Sequence, residues 1–207
     1  LDITNCDDIN IFVFHRTSKF PTRSELPSHP KMMSLKSQVV YKWLAPNFGS
    51  LRYSVERYTG RAVDWSDVNE RNMLLYESAE PLARMYSPFF DVDDTFILQE
   101  YFVPFDQFQL WMKKVSSKIV KASMESNKHF TLLNTTIRYV QEDKRTMLAY
   151  SRVPGGSFAF VLYFRMRRTE EADMKLQRLH NDLVNATLDC GGTFYLPYRH
   201  HYSQSQL

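Results

Sequence analysis

A chain of 207 residues with 43% hydrophobic and 24% charged side chains has the composition of a folded globular protein, which excludes disordered and collagen-like chains. Its 26 basic and 23 acidic residues are interspersed and give a net charge of +3, which is too balanced for a dedicated nucleic-acid binder. The six glycines form neither a GxGxxG nor a GxxxxGK[ST] motif, so the sequence contains no phosphate-binding loop, whereas 14% of the residues are aromatic.

Cysteine spacing and hydropathy bear on the cellular compartment. Cys6 and Cys190 lie near opposite ends of the chain without CxxC spacing, which predicts reduced thiols and a cytoplasmic protein. No apolar stretch reaches the roughly 18 residues that can span a bilayer, so no transmembrane segment is predicted, and the first residues do not resemble a signal peptide. Because the chain starts with Leu1 rather than Met, we expect a segment of a longer protein.

The composition changes near residue 90. Residues 1–94 contain apolar patches between polar, Arg-rich stretches, which indicates an irregular N-terminal part. Within it, segment 19–36 is rich in Pro and Ser, and because each proline fixes φ and removes a backbone donor, a loop is predicted there. Residues 95–207 show regular patterns, so this range is predicted to form the α+β core.

The core carries strand and helix patterns in turn. β-branched and aromatic residues in Thr95–Val103 predict a strand that ends before Pro104. Apolar residues at three- and four-residue spacing in Phe105–Val120 predict an amphipathic helix of about five turns. A second helix is predicted to begin at Thr169, as N-cap, and to stop at Gly191. The other predicted strands are Leu132–Val140, Met147–Val153, Phe158–Met166 and Thr193–Leu196.

This order, β-α-β-β-β-α-β, predicts an α+β fold. An antiparallel sheet would have both helices packed on one face, as in the ferredoxin-like relatives of the split βαβ theme. The helices would cover the apolar face, so the opposite face would be open to solvent or to another domain.

Polar side chains alternate along two of the predicted strands. The period of two places Asn134, Thr136 and Arg138 on one face, and Glu100 belongs to an alternating set that can share it. A carboxylate and a guanidinium on that face would form a polar floor for a hydroxylated ligand, with aromatic side chains as walls. A solvated sheet face without a ligand is the alternative.

The histidines do not predict a metal site. No HExxH or His-x3-His spacing occurs, and most of the histidines are isolated in the sequence. His200 and His201 are adjacent, so their side chains point to opposite sides of an extended backbone and do not favour joint chelation.

The C-terminal run Gly191–Tyr202 is dense in aromatic and cationic side chains. Such a run would be an exposed apolar liability on a surface tail, so we expect it to dock against other parts of the protein. Its interleaved rings and cations suit either a stacking platform for nucleic acid or the wall of a substrate or cofactor site.

Three ordered motifs occupy the predicted core: LQEYFVP at 98–104 before a helix, TIR at 136–138 followed by YSR at 150–152, and paired glycines within 188–198. Their order and spacing resemble the substrate-binding, or cap, domain of the vanillyl-alcohol oxidase and p-cresol methylhydroxylase superfamily of FAD-linked oxidoreductases. Within it, the alditol and aldonolactone oxidase and decaprenylphosphoryl-ribose oxidase branches are the most similar. The resemblance implies a cap that closes over the isoalloxazine ring, with FAD bound mainly by a separate domain outside these residues.

The resemblance also implies roles for individual residues. Glu100 matches a polar cap-strand position that faces the active site. Arg138 matches the basic residue of a Glu-Ile-Arg-like triplet whose first position is Thr136 here. Tyr198 stands where lysine often lies near the flavin, so a neighbouring residue would supply the cation. The expected site residues are Arg138, Tyr198, Arg199 and His200 for catalysis, and Glu100, Asn134, Thr136, Tyr195 and His201 for substrate binding.

The implied function is oxidation of a hydroxyl-bearing carbon in a sugar, polyol or lactone-like substrate by hydride transfer to flavin, in an FAD-linked oxidase or dehydrogenase. Its expected partners are that small hydroxylated molecule and the FAD-binding domain of the full-length protein, and this domain alone is expected to be inactive. The alternative is a stand-alone ferredoxin-like module that binds single-stranded nucleic acid through its C-terminus. The even charge balance disfavours that alternative, so no nucleic-acid partner is expected.

Overall fold

The computed structural model describes residues 15–21, 68, 93–126, 129–147 and 149–207. The chain divides into two compact units, Leu1–Phe90 and Asp91–Leu207. In the described part of the first unit, the backbone N–H of Lys19 donates to Thr17 Oγ1 at 3.2 Å. Apart from residues 19–21, the predicted Pro/Ser-rich loop at 19–36 lies outside the described residues, as does most of the irregular part predicted for 1–94.

The second unit has the predicted α+β fold, an antiparallel sheet with two helices. Its regular elements are β1 (Asp94–Pro104), α1 (Phe108–Glu125), β2 (Phe130–Val140), β3 (Ser157–Arg167), α2 (Glu170–Asp189) and β4 (Thr193–Phe194). Short 3-10 turns lie at Phe105–Gln107 and Gln204–Gln206. Among the described residues, no helix has the length and apolar character needed to cross a membrane.

The four strands are arranged in the order β2-β3-β1-β4, and every neighbouring pair is antiparallel. β1 and β2 are therefore parallel to each other, with β3 between them. β3 and β4 are likewise parallel to each other, with β1 between them. Each helix thus connects two parallel strands that are separated by a third, which is a split βαβ arrangement. β1 lies between β3 and β4, and its consecutive residues 99–103, which alternate between the two faces, are all buried.

Both helices pack against the same face of the sheet. On α1 the buried residues Trp111, Met112, Val115 and Ile119 recur at three- and four-residue spacing, which gives the helix one apolar side. The Trp111 ring lies 4.3 Å from the ring of Phe160 on β3, centroid to centroid. From α2, His180 contacts Phe164 on the same face at 5.6 Å. The aromatic side chains of β1 and β3 therefore form the core beneath the helices.

α2 begins and ends where the sequence predicts. Thr169 is the N-cap, and its Oγ1 accepts a hydrogen bond from the backbone N–H of Ala172 at 3.2 Å. At the other end, Gly191 has a φ of 69°, and its N–H donates to the Leu188 carbonyl at 2.9 Å. The Gly192 N–H donates to the Thr187 carbonyl at 2.9 Å, which completes a Schellman motif.

The predicted strand Met147–Val153 is wrong. None of its described residues belongs to a strand, because β2 pairs directly with β3 and the intervening residues form a folded connection. The Asp143 carboxylate accepts hydrogen bonds from the backbone N–H groups of Arg145 and Thr146 at 2.9 and 3.1 Å, which bends the chain. The Tyr150 carbonyl is bound by the Thr193 hydroxyl at 2.7 Å instead of by a strand ladder. The last strand is also shorter than predicted and ends at Phe194.

A buried polar bridge joins the two helices. The indole N–H of Trp111 donates to Thr187 Oγ1 at 2.9 Å, and the Thr187 hydroxyl donates to the Leu183 carbonyl at 2.7 Å. We expect Thr187→Val to lower the free energy of unfolding by about 1–3 kcal/mol, because the buried indole N–H loses its acceptor while the side-chain volume is kept. Urea unfolding followed by tryptophan fluorescence measures the loss.

Thr187→Ser is the matched control for this bridge. It keeps the hydroxyl and removes one methyl group, so it should cost less than Thr187→Val. Equal stability of the valine variant and the wild type would contradict the prediction.

Candidate functional site

The face of the sheet opposite the helices, here called the open face, carries the predicted polar pair. Val161 on β3 is the register partner of both Glu100 on β1 and Thr136 on β2. Ala159, two residues earlier, is the partner of both Phe102 and Arg138. Directly opposed residues of an antiparallel pair share a face, so all of these side chains belong to the open face, as predicted.

Glu100 and Arg138 form an ion pair across β3, in which the Arg138 Nη2 donates to Glu100 Oε1. The small Ala159 side chain lies opposite Arg138 in the strand between them. Only 3% of the Glu100 side chain is exposed, against 57% of the Arg138 side chain. The pair therefore has a buried anionic end and an accessible cationic end, and the hydrogen bond to Glu100 raises the pKa of Arg138.

Three tyrosine rings surround the ion pair. Tyr150 contacts Phe102 and Tyr195, with ring centroids 5.1 Å apart in each case. Tyr198 contacts Tyr195 edge-on at 5.1 Å. Burial, and then the nearby Glu100 carboxylate, raise the pKa of Tyr198, so its phenol is neutral near pH 7. The open face thus presents phenol rings beside a guanidinium, which are groups that pack on a sugar ring and hydrogen-bond its hydroxyls.

Two of these tyrosines are carried by the segment 195–202, which we call the strap. β4 pairs with β1, and the backbone N–H of Tyr195 then donates to the Glu100 carbonyl at 2.9 Å. From the helix side of the sheet, Gln99 Nε2 donates to the Arg199 carbonyl at 2.9 Å. The neighbouring β1 residues Gln99 and Glu100 therefore hold the strap from opposite faces, and the strap crosses the sheet edge between Tyr198 and Arg199.

A second polar cluster lies where the strap reaches α2. Arg199 Nη1 lies 2.9 Å from Asp173 Oδ1, and His201 Nε2 lies 3.3 Å from the same oxygen. His201 Nδ1 is 2.8 Å from His180 Nδ1, and both rings are buried. Burial lowers the pKa of both histidines, and the charges of His201 and Arg199 lower that of His180 further.

The structure separates the predicted site residues into groups. Glu100, Arg138, Tyr195 and Tyr198 come together on the open face, and Thr136 shares that face through the register. Arg199 and His201 instead contact Asp173 behind the sheet edge, and the exposed His200 contacts Tyr202 at 5.5 Å. The side chain of Asn134 lies outside the part of the protein that the structure describes.

Sequence reasoning gave no role to three residues that belong to these clusters. The sequence predicts a strand at Tyr150 in the YSR motif at 150–152, whereas its ring covers the open face. Asp173 and His180 are ordinary polar positions of an amphipathic helix in the sequence. Their connection to His201 depends on how the strap folds back onto α2, and no local sequence signal encodes that contact.

The described residues offer no cradle for a dinucleotide pyrophosphate. Among them, Gly155 and Gly156 belong to the turn before β3, and Gly191 and Gly192 close the helix terminus. No group of three or more metal-ligating side chains occurs in the described ranges either.

No family model matches this chain, and comparisons with curated proteins and with solved structures gave no match.

Proposed function

We propose that this chain is the substrate-binding domain of an FAD-dependent oxidoreductase that oxidises a hydroxyl-bearing carbon, and that the open face receives the substrate. The supporting observation is the Glu100–Arg138 ion pair with tyrosine rings around its accessible end. The resemblance of the three core motifs to the vanillyl-alcohol oxidase type of cap domain supports the same function. The partner in this proposal is the FAD-binding domain of the full-length protein, and the proposed location is the cytoplasm.

The charge of the site favours a neutral hydroxylated substrate. Glu100 and Arg138 neutralise each other, and the raised pKa of Tyr198 keeps its phenol uncharged. Arg138 uses one nitrogen on Glu100, so its remaining N–H groups can donate to substrate hydroxyls, while the phenols can donate or accept. A sugar, polyol or lactone meets these groups without leaving a buried charge unpaired.

Flavin, when bound by the partner domain, would accept the hydride from the substrate carbon. The residues of this chain would orient the substrate: Arg138 and the tyrosines fix its hydroxyls, and the rings exclude water from one side. Because its pKa is raised, Tyr198 stays a neutral phenol near pH 7, which can donate or accept a hydrogen bond but does not supply a phenolate base. Arg199 binds Asp173, so its role in this proposal is to anchor the strap.

The full-length protein provides the test. We expect it to purify with bound FAD, and we expect a neutral polyol, sugar or lactone to bleach the flavin absorption under anaerobic conditions. Arg138→Gln should raise the substrate concentration needed for half-maximal bleaching at least about tenfold, since it removes the accessible donor. Arg145→Gln removes the same charge from an exposed position of the β2–β3 connection and should have no effect. A colourless protein that takes up no FAD would refute the proposal.

One observation favours single-stranded nucleic acid as a second candidate. Phe96 and Tyr163 stack on the open face with centroids 5.2 Å apart, and exposed rings on a sheet can stack bases. The carboxylates of Asp94 and Glu100 on that face are paired with Arg165 and Arg138, so these four charges cancel and do not attract a phosphate backbone. Titration with an oligonucleotide decides between the two candidates, because nucleic-acid binding must weaken steeply as salt is added.

A further inference from the structure

The strap connects the open face to the buried histidines. Tyr195 and Tyr198 lie beside the ion pair, whereas Arg199 and His201 bind Asp173 and His180 on α2. The C-terminal end is held as well, since Gln206 Nε2 donates to Asn185 Oδ1 of α2 at 2.7 Å. The position of the two tyrosines therefore depends on contacts that lie on the other side of the sheet.

The contact between the two histidines tolerates only some protonation states. Two Nδ1 atoms 2.8 Å apart can share a hydrogen bond only when one carries a proton and the other is an acceptor. With both rings neutral or with His201 alone charged, the bond persists, and a charged His201 also pairs with Asp173. When His180 is also charged, two N–H groups point at each other and the contact is lost.

The surroundings of the pair oppose a positive charge on His180 in addition to one on His201. His180 is 1% exposed, and its Nε2 has no hydrogen-bond partner among the described residues. The titratable and charged groups that face the pair are Asp173 on α2 and Arg199 on the strap, and β3 contributes only the uncharged ring of Phe164. Asp173 is already bound by Arg199, so its charge is shared between the cation and the histidine.

We propose that His180 and His201 are positioning residues that hold the strap, and with it Tyr195 and Tyr198, in the ligand-binding arrangement only while at most one of the two rings is positively charged. Substrate affinity of the open face then falls on acidification. This inference rests on the proposed function for its ligand but not for its structural part.

The pH range follows from the direction of the pKa shift. The folded-state pKa of His180 lies well below its ordinary value, so below about pH 6.5 the protein with a released or unfolded strap binds more protons than the protein with a docked strap. The contribution of the docked contact is complete above that pH and declines as the pH falls through and below it. Acid therefore favours strap release.

Trypsin cleavage after Arg199, normalised to cleavage after the exposed Arg16 in the same chain, reports strap release without any ligand. We expect this ratio to rise about threefold or more between pH 7.5 and pH 5, because histidine gains its charge in this range and a charged His180 loses its hydrogen bond to a charged His201. The apparent Kd for the substrate that bleaches the flavin should increase over the same range. Circular dichroism at each pH shows that the rest of the chain stays folded.

His180→Asn is the matched variant, because its amide can replace Nδ1 in the hydrogen bond but does not titrate. Its cleavage ratio should stay constant with pH, and His201→Asn serves the same purpose if the first variant does not fold. The inference would be overturned if the wild-type cleavage ratio did not change with pH. It would also be overturned if the ratio of His180→Asn rose on acidification as much as that of the wild type. Strap release on acidification without binding of any polyol would instead overturn the proposed function and leave the positioning role standing.

Discussion

Replacing Arg138 with glutamine is expected to destabilise the protein more than replacing Glu100 with glutamine, although both changes break the same ion pair. The reason is the unequal burial of the partners, 3% exposed for the Glu100 side chain and 57% for Arg138. Arg138→Gln leaves a buried carboxylate without its counter-charge, which costs about 3 kcal/mol. Glu100→Gln leaves a guanidinium that water can solvate, which costs about 1 kcal/mol.

Urea unfolding of the full chain at pH 7 measures both losses, with Arg145→Gln as the control for removal of an exposed positive charge. If Glu100→Gln costs as much as Arg138→Gln at pH 7, the ion pair is not the asymmetric pair described above.

The polar pair on the open face could be predicted from the sequence because it depends on local alternation. The period of two fixes the face on which Glu100 and Arg138 lie once β1 and β2 are recognised as strands. A β-bulge between Leu132 and Asn134 shifts the register, so Leu132 is opposite Phe164 on the helix-covered face, whereas Thr136 and Arg138 beyond the bulge keep their own alternation on the open face. Alternation does not predict which strand lies between β1 and β2. That strand is β3, whose small Ala159 lies opposite Arg138.

The contacts around that pair could not be predicted, because they join parts of the chain that are distant in sequence. Tyr150 has strand-like neighbours, but Asp143 bends the connection and the Tyr150 ring turns onto Phe102. Alternation predicts that the side chains of the adjacent His200 and His201 point apart, and His201 is buried against His180 while His200 is exposed. The expectation did not identify the partner, which lies 21 residues away on a helix.

The second large effect is expected at Gly192, which links α2 to the strap. A methyl group at this position would lie 2.8 Å from Thr187 Cγ2 and still closer to the backbone carbonyl oxygen of Phe102. Neither group can move without loss of other contacts. Phe102 is paired within strand β1, and the Thr187 hydroxyl accepts a hydrogen bond from the indole N–H of Trp111. We expect Gly192→Ala to lower the free energy of unfolding by about 3 kcal/mol or more, at the upper end of overpacking effects.

Gly191→Ala is the matched control, since it adds the same methyl group one residue earlier. No atom lies within 4 Å of a Cβ at Gly191, so the only cost is the positive φ of 69°, about 1–2 kcal/mol for an L-residue. Urea unfolding of both variants separates steric overlap from backbone strain. Equal losses would mean that the approach of Gly192 to β1 is not as close as the structure shows.

The two variants also differ in what they should do to the site. Thr193 follows Gly192 and pairs with Phe102, Phe194 pairs with Tyr101, and the Tyr195 N–H then donates to the Glu100 carbonyl. Displacement at Gly192 therefore moves β4 away from β1 and takes Tyr195 and Tyr198 away from the ion pair. Gly192→Ala should increase trypsin cleavage after Arg199 at pH 7.5, whereas Gly191→Ala should leave it unchanged. The paired glycines would then matter to the open face because the second one lets the strap start directly against the strand that carries Glu100.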